Sequence, residues 1–304
     1  MKNSKTISAV LLTVLIITIS SCKNNGFENT KRSTDSDPKT LLLKKRIAKD
    51  KQNFTDRNRL AHHYIQKSRV EGNLIYIDRA EDLLNESLEN NPQDYDANIY
   101  MGLVRLSKHR FTEALEYGNK ALSIKPGSAH ALGVIGDAYK EIGEIKKAEQ
   151  AYNKMAEIAP GLDSYSRIAN LKAESGNLPE AIKLMEKAYE LGVSHGSAKE
   201  NLAWTQVMIG SHNFDSGNFD TAEEHYINGL DILEDYYLAL EHLAEVNAAK
   251  GNNLRALALY DRVVKIAPKP EFYLARADVQ KKLGFTEDAK MSRLAAEKLV
   301  MNEM

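Results

Sequence analysis

Side chains that could do chemistry are scattered along this 304-residue chain rather than grouped in a catalytic motif. His62 and His63 are adjacent, so on a helix they would point in different directions. His225 and His242 each follow a glutamate but lack a second ligand four residues away on the same helical face. No P-loop, zinc-protease helix, nucleophile elbow, dinucleotide-binding turn or calcium loop is present. The sequence therefore predicts no enzyme, no cofactor and no metal site.

The cysteine at position 22 is the only one in the chain, so an intrachain disulfide is excluded. It follows a short basic start and an apolar run from Ile7 to Ile19, which is too short to span a bilayer permanently. The end of this leader, Ile19-Ser20-Ser21-Cys22, resembles the processing site of bacterial lipoproteins. The resemblance implies cleavage after residue 21 and a diacylglycerol joined to Cys22 through a thioether. The alternative is an ordinary secretory signal with a chance cysteine.

Residues 22–39 are rich in Asn, Ser, Thr, Asp and Lys and nearly lack apolar side chains, which predicts a flexible tether. A helix over residues 40–53 is expected to cap the apolar end of the segment that follows, residues 54–304. The overall net charge of −1 conceals an asymmetry, because residues 23–67 are basic and the rest of the mature chain is acidic. The tether could contact anionic lipid headgroups, but a solvated linker is the favoured interpretation.

The remaining residues repeat one two-helix unit, seen most clearly from Ala129 to Pro160. Gly136 is small enough for a second helix to lie against the first, and Gly143 ends the first helix. Ala148 is expected at the close crossing, and Pro160 ends the second helix because it cannot donate the next helical hydrogen bond. Each such hairpin leaves apolar faces that only a neighbouring hairpin can cover. The units must therefore stack.

The crossing alanine recurs at a spacing close to 34 residues, the period of tetratricopeptide repeats. Its positions are Ala80, Ala114, Ala148, Ala181, Ala222, Ala256 and Ala289. On these residues the chain resembles the tetratricopeptide-repeat (TPR) family. The resemblance implies an all-α, right-handed superhelical solenoid of about seven hairpins, whose first helices line a concave groove that binds a protein or peptide.

Two lengthened connections interrupt the period, SRVEGNLIY in the first hairpin and VSHGSAKEN between the fourth and fifth. Each adds about seven residues, which must either loop out or extend the flanking helices. The second is expected to bend or open the superhelix after the fourth repeat. At the far end, Met291, Leu294 and Leu299 leave an apolar edge, so a homodimer is one expectation.

The groove positions of TPR proteins, carried onto this chain, are mostly acidic. The candidate groove residues are Asp137, Glu141, Asp163, Asn170, Glu174, Trp204, Asp215, Glu241 and Glu245. An acidic wall repels phosphate, which argues against nucleic acid, and it suits a basic or amphipathic segment. Two alternatives stay open: that the acids are a solvated face, and that Trp204, the single tryptophan, packs between repeats four and five rather than anchoring a ligand.

These features predict a membrane-anchored TPR lipoprotein that acts as an interaction scaffold in the bacterial cell envelope. The outer membrane or cell surface is favoured over the inner membrane. The alternative is a structural subunit of a secretion or polysaccharide-export assembly. A permanent subunit would expose apolar stripes on its convex side, whereas residues such as Glu144, Lys146 and Gln150 are polar there.

Overall fold

The computed structural model describes residues 35–303, so the predicted leader, the predicted lipid attachment at Cys22 and most of the predicted tether lie outside the described residues. The described part contains α-helices and no strand. The helices are α1 (Pro38–Lys49), α2 (Phe54–Glu71), α3 (Ile75–Asn90), α4 (Tyr95–Ser107), α5 (Phe111–Ile124), α6 (Ala129–Ile142), α7 (Ile145–Ile158), α8 (Leu162–Glu174), α9 (Leu178–Ser194), α10 (Lys199–Asp215), α11 (Phe219–Ile232), α12 (Tyr237–Ala249), α13 (Asn253–Ile266), α14 (Pro270–Lys282) and α15 (Thr286–Glu303).

The hairpin α6–α7 shows why the sequence pattern has this period. Ser128 caps α6 by accepting a hydrogen bond from the backbone of Ala131, and Gly143 ends the helix in a left-handed conformation at φ +91°. The ring of Tyr152 on α7 lies directly over Gly136, where any side chain would collide with it. Ala148 is fully buried at the crossing. The small residues therefore set the helix separation, as the sequence predicted.

Seven hairpins, α2–α3 through α14–α15, follow one another and stack into an all-α, right-handed superhelical solenoid. The first helices of neighbouring hairpins contact each other: α2 contacts α4, α4 contacts α6, and α10 contacts α12. These first helices line the inner, concave side of the solenoid, and the second helices lie outside them. The core consists of successive apolar clusters between hairpins, in which Leu60, Met101 and Leu240 are among the largest fully buried side chains.

The first helix begins at Pro38, two residues before the predicted start, and ends at Lys49. Asp37 caps it, because its carboxylate accepts a hydrogen bond from the backbone of Thr40 at 2.9 Å. Thr40 and Leu43 are buried where α1 packs on α2. The helix therefore covers the exposed end of the first hairpin, as a terminal capping element must.

Both lengthened connections become helix rather than loop. Compared with α6, α2 continues for one extra turn at its C-terminal end, residues 68–71, and α10 begins one turn early, at residues 199–202. The expected bend or opening of the superhelix after the fourth repeat stays a prediction, but the extra turns have another visible effect. They bring the first repeat into contact with the fifth, as described below.

The final helix leaves apolar side chains uncovered at the C-terminal end of the solenoid. Met291 is 63% exposed and Leu294 is similarly accessible. Dimerisation through this edge stays a prediction. Over residues 35–303, none of the helices combines the length and the apolar character that crossing a membrane would require.

Candidate partner-binding groove

The candidate groove residues lie on four consecutive first helices, but the structure divides them into two groups with different electrostatics. Asp137 and Glu141 are on α6, and Asp163, Asn170 and Glu174 are on α8. Trp204 and Asp215 are on α10, and Glu241 and Glu245 are on α12.

In the α6–α8 group, Asp137 is already neutralised by the chain itself. Arg167 reaches across from α8 and makes two parallel hydrogen bonds to the Asp137 carboxylate, each 2.8 Å long. The hydroxyl of Tyr152 donates a third hydrogen bond, at 2.9 Å. A bidentate pair of this kind fixes both side chains and leaves little charge for a ligand. It joins the third repeat to the fourth instead.

Two more acids of the same group share one lysine, whose single positive charge offsets half of their combined negative charge. The Lys140 ammonium lies 3.0 Å from the Glu141 carboxylate and 2.9 Å from that of Glu174. Partial burial alone would lower the pKa of Lys140, but the two carboxylates outweigh it and raise the pKa, so the lysine stays charged. Of the remaining residues, Asp163 is exposed, and the side-chain oxygen of Asn170 is buried with no hydrogen-bond partner among the described residues.

The α10–α12 group is different, because its acids face one another with no lysine or arginine in ion-pair contact among residues 35–303. Glu241 and Glu245 share the imidazole of His242, whose Nδ1 lies 3.5 Å and 3.3 Å from their carboxylates. Burial raises the pKa of Glu241, and the nearby carboxylates of Glu245 and Glu271 add to the rise against the attraction of His242. The geometry thus brings together acidic groups that repel one another.

Asp215, at the end of α10, adds its carboxylate to this group. Partial desolvation raises its pKa, and repulsion from Glu245 adds to the rise, although His212 and His242 oppose it. Asp215 and Glu245 are both exposed. We call Asp215, Glu241 and Glu245 the acidic trio. These carboxylates form the part of the predicted acidic wall in which several acids lie close together without an ion pair to lysine or arginine among residues 35–303.

His242 takes the place that Arg167 holds two repeats earlier. Tyr152 lies over Gly136 and bonds the next residue, Asp137, which Arg167 neutralises. In the later repeats, Tyr226 lies over Gly210, and its ring stacks on His242 with centroids 5.4 Å apart. A permanent cation is thus replaced by a titratable one.

The protonation state of His242 decides whether a positive charge lies beside the carboxylates of the acidic trio. Partial burial would lower the pKa of His242, but attraction to Glu241 and the hydrogen bond to Glu245 outweigh it and raise the pKa above its ordinary value. The pairing of His242 with Glu245 was not expected from the sequence, because a partner was sought four residues away, whereas Glu245 follows His242 by three. The ligand atoms of Glu241, His242 and Glu245 lie within 4.8 Å of one another, which would also let them hold a cation.

Trp204 lies half-buried on α10 between two parts of the core. It packs against apolar side chains of the fourth repeat, among them Met185, and against the cluster formed by the fifth and sixth repeats. The structure therefore places the tryptophan in the packing between repeats four and five, with part of the ring accessible.

A contact across the superhelix bounds the groove, and its residues come from the two lengthened connections. Arg69, in the extra turn of α2, lies 3.2 Å from the Glu200 carboxylate and 3.4 Å from the Asn201 side-chain oxygen, both in the extra turn of α10. Gly72 packs beside Tyr237 and Ala267 of the sixth repeat. We call these residues the closing contact. The two insertions that form it were visible in the sequence, but no local pattern shows that they contact each other.

Sequence comparison agrees with this architecture. Three tetratricopeptide-repeat family models match the chain. One matches residues 77–129 and 207–269, the second matches residues 105–174, and the third matches residues 162–235. Together they cover residues 77–269 without a gap. The chain belongs to the tetratricopeptide-repeat family. In the TPR solenoid described above, these matches span the second through sixth hairpins and include all the candidate groove residues from Asp137 to Glu245.

Individual relatives are distant. A TPR repeat-containing protein of Methanocaldococcus jannaschii is 25% identical over 223 residues, 69% of this chain and 36% of the relative. A human protein O-mannosyl-transferase is 21% identical over 169 residues, 55% of this chain. This TPR chain spans about a third of the archaeal relative and about a fifth of the human one.

Among solved structures, PilW, described as a widely conserved type IV pilus biogenesis factor, has a similar fold. The TM-score is 0.56 at 15% sequence identity, with 65% of this chain and 90% of PilW covered. At this identity the likeness shows the TPR fold.

Proposed function

We propose that this TPR protein is a lipid-anchored scaffold of the bacterial cell envelope that binds a basic or amphipathic segment of a partner protein at the acidic trio. The observation that carries the proposal is the contrast within the groove. Asp137 is paired with Arg167, and Glu141 and Glu174 share the ammonium of Lys140. In the acidic trio, by contrast, no lysine or arginine among residues 35–303 forms an ion pair, and the titratable His242 lies beside Glu241 and Glu245.

A basic side chain of the partner would complete the acidic trio as Arg167 completes Asp137. A guanidinium placed between Asp215 and Glu245 would relieve the repulsion that raises the pKa of Asp215. A phosphate-bearing ligand would meet negative charge, the same sign as its own, so nucleic acid is not proposed. PilW, which shares the fold, is described as a pilus biogenesis factor, and this supports an envelope role.

Peptide titration tests the groove. Fluorescence of Trp204, the single tryptophan, reports binding of basic and amphipathic peptides at low and physiological salt. We expect Asp215→Asn with Glu245→Gln to weaken binding by roughly two- to thirty-fold, because each partly exposed charge pair contributes about 0.2–1 kcal/mol. The matched control is Glu141→Gln with Glu174→Gln, which also removes two acids, but two that share the ammonium of Lys140.

Binding lost equally in both double variants would show that only the overall negative charge matters. A fluorescence signal that never saturates with any peptide would contradict a defined site. Weakening confined to the Asp215 and Glu245 variant supports the proposal.

Anchorage has a separate test. The Cys22→Ser chain is expected to escape lipoprotein processing and to leave the membrane fraction on a high-salt wash, while the unchanged chain remains. Retention of the Cys22→Ser chain on washed membranes would refute anchorage through this residue without bearing on the groove.

A further inference from the structure

Helix α1 has an outward face that a solvated surface helix does not need. Thr40, Leu43 and Ile47 face the first hairpin, so the opposite side of the helix points away from the protein. Leu41 and Leu42 lie on that outward side and are 53% and 55% exposed. The helix is therefore apolar on both sides.

Two lysines complete this outward face. Lys45 follows Leu41 by four residues and Lys49 follows Lys45 by four, which places both lysines on the same side of the helix as the two leucines. Both lysines are exposed. Adjacent leucines flanked by lysines form the pattern of an interfacial helix, in which long basic side chains reach the headgroups while the apolar ones enter the acyl boundary.

The whole segment from Pro38 to Lys51 is basic, with six Lys or Arg residues and one Asp. Lys44 pairs with Asp35, and Arg46 pairs with Asp56 at 2.8 Å. The four other basic side chains have no acidic partner within ion-pair distance in residues 35–303: Lys39, Lys45, Lys49 and Lys51. They supply the positive charge that an anionic surface would attract.

The orientation of α1 is fixed by polar contacts at its start. The Asp37 carboxylate bonds the backbone of Thr40, and on α2 it lies 3.0 Å from His63 Nε2 and 3.1 Å from the Lys67 ammonium. The outward face thus cannot roll inward without breaking these contacts and uncovering Leu43.

The chain length before α1 limits its distance from the anchor. Twelve residues separate Cys22 from Asp35. Even if fully extended at about 3.3–3.6 Å per residue, the connection reaches no more than about 45 Å. A lipid on Cys22 therefore holds α1 at a high effective concentration beside the membrane.

We propose that the outward face of α1, formed by Leu41, Leu42, Lys45 and Lys49, docks on anionic phospholipid headgroups. This inference rests on the proposed lipid anchorage and adds an orientation to it: the N-terminal end of the solenoid lies on the membrane. A second copy of the chain is a poor occupant, because a two-fold contact would bring the lysines of both copies together.

The test measures whether α1 touches lipid once the protein is anchored. Cys22 is the only cysteine, so the thioether to diacylglycerol blocks its thiol and a new cysteine takes a polarity-sensitive fluorophore alone. Full-length chain carrying Ala48→Cys, an exposed site at the edge of the outward face two helical turns after Leu41, is extracted from membranes and reconstituted into vesicles of phosphatidylcholine, with or without phosphatidylglycerol. Met291→Cys provides the control label, at an exposed site on α15 at the other end of the solenoid.

We expect the label at position 48 to shift to the blue and to be quenched by brominated lipid, more strongly with phosphatidylglycerol present. The label at position 291 is expected to stay unchanged. In the Ala48→Cys chain, Lys45→Gln with Lys49→Gln should lower the ratio of docked to undocked protein by about 25-fold, about fivefold for each lysine.

Apolar contact is tested by Leu41→Ser with Leu42→Ser, which should also reduce the shift. Leu254→Ser, at a leucine 69% exposed in the sixth repeat, is the matched control and should have no effect. All these variants keep Thr40, Leu43 and Ile47, so unchanged helical circular dichroism is expected.

Equal responses from labels 48 and 291 on anchored protein would overturn the docking inference and leave anchorage standing. A shift at position 48 that depends on protein concentration in the absence of vesicles would overturn it in favour of self-association. If high salt releases the unchanged protein, anchorage fails, and the same label mixed with anionic vesicles still decides the docking: a shift supports it and no shift refutes it.

Discussion

The closing contact makes a prediction that separates a local effect from one transmitted across the superhelix. Gly72 ends α2 at φ +65°, and a Cβ added there would lie 3.2 Å from the Tyr237 ring and 3.3 Å from the Ala267 Cβ. Gly143 ends α6 in the same way at φ +91°, but an added Cβ would meet nothing within 4 Å. Both glycines thus have a positive φ that disfavours a side chain, with Gly143 farther from the left-handed α region. Only Gly72 has a contact across the superhelix.

Gly72→Ala and Gly143→Ala are each expected to lower the free energy of unfolding by about 1–2 kcal/mol, because a side chain on a residue with positive φ clashes with the backbone. Gly72→Ala should lose up to roughly 1 kcal/mol more, since carbon atoms prefer separations of about 3.5–4.0 Å and the neighbours must move apart. Arg69→Ala removes the ion pair with Glu200 without backbone strain and should cost about 0.2–1 kcal/mol, because Arg69 is half exposed.

Hydrogen exchange read by mass spectrometry provides the assay. Stability in a solenoid is coupled mainly between neighbouring repeats, so Gly143→Ala should speed exchange in the second to fourth repeats only. Gly72→Ala and Arg69→Ala should speed exchange not only next to the changed residue but also at the start of α10 and around Tyr237 and Ala267, more than 120 residues away in sequence. Faster exchange confined to the first two repeats in the Gly72→Ala chain would refute the closing contact.

Three further predictions concern the repeats themselves. Ala148→Leu should destabilise the protein by about 1–3 kcal/mol in denaturant unfolding, because Ala148 is fully buried at a helix crossing, and unchanged stability would contradict that packing. Arg167→Met should cost about 1–3 kcal/mol in the same assay by leaving Asp137 without its bidentate partner, and Asp137→Asn in the Arg167→Met chain should recover part of it. Because the folded-state pKa of His242 is raised, its contribution to stability is present at acidic pH and is lost as the pH rises through that pKa. The stability difference between the unchanged chain and His242→Gln should therefore shrink from pH 6 to pH 9, and a difference that grows would reverse the sign of the argument.

Much of the fold was predictable because each hairpin is specified locally. Gly136, Ala148 and Tyr152 fix a helix crossing through their own sizes, and the same types recur at nearly constant spacing. The all-α solenoid follows from stacking such units, and the sequence predicts it without any contact between distant residues. The leader ending at Cys22 is likewise a property of a short stretch, and its processing stays a prediction.

The groove was predictable only in part. Position in the repeat places Asp137 and Glu245 on the same concave side, but whether a carboxylate is neutralised depends on the neighbouring repeat. Arg167 lies within bonding distance of Asp137, and Lys140 within bonding distance of Glu174, only after the repeats stack, because each pair is separated by thirty residues or more in sequence. A sequence-based assignment of acidic positions therefore overstated the charge of the third and fourth repeats.

The sequence by itself determined the helical hairpins, their number and their order, because those depend on side-chain size and on spacing within a few turns of helix. Only the tertiary structure decided that the extra turns of α2 and α10 meet, so that Arg69 reaches Glu200 across more than 130 residues. The physical reason is accumulation: a small rotation at each repeat interface sets the curvature of the superhelix. Whether its first and fifth repeats touch depends on the sum of those rotations, which no single interface specifies.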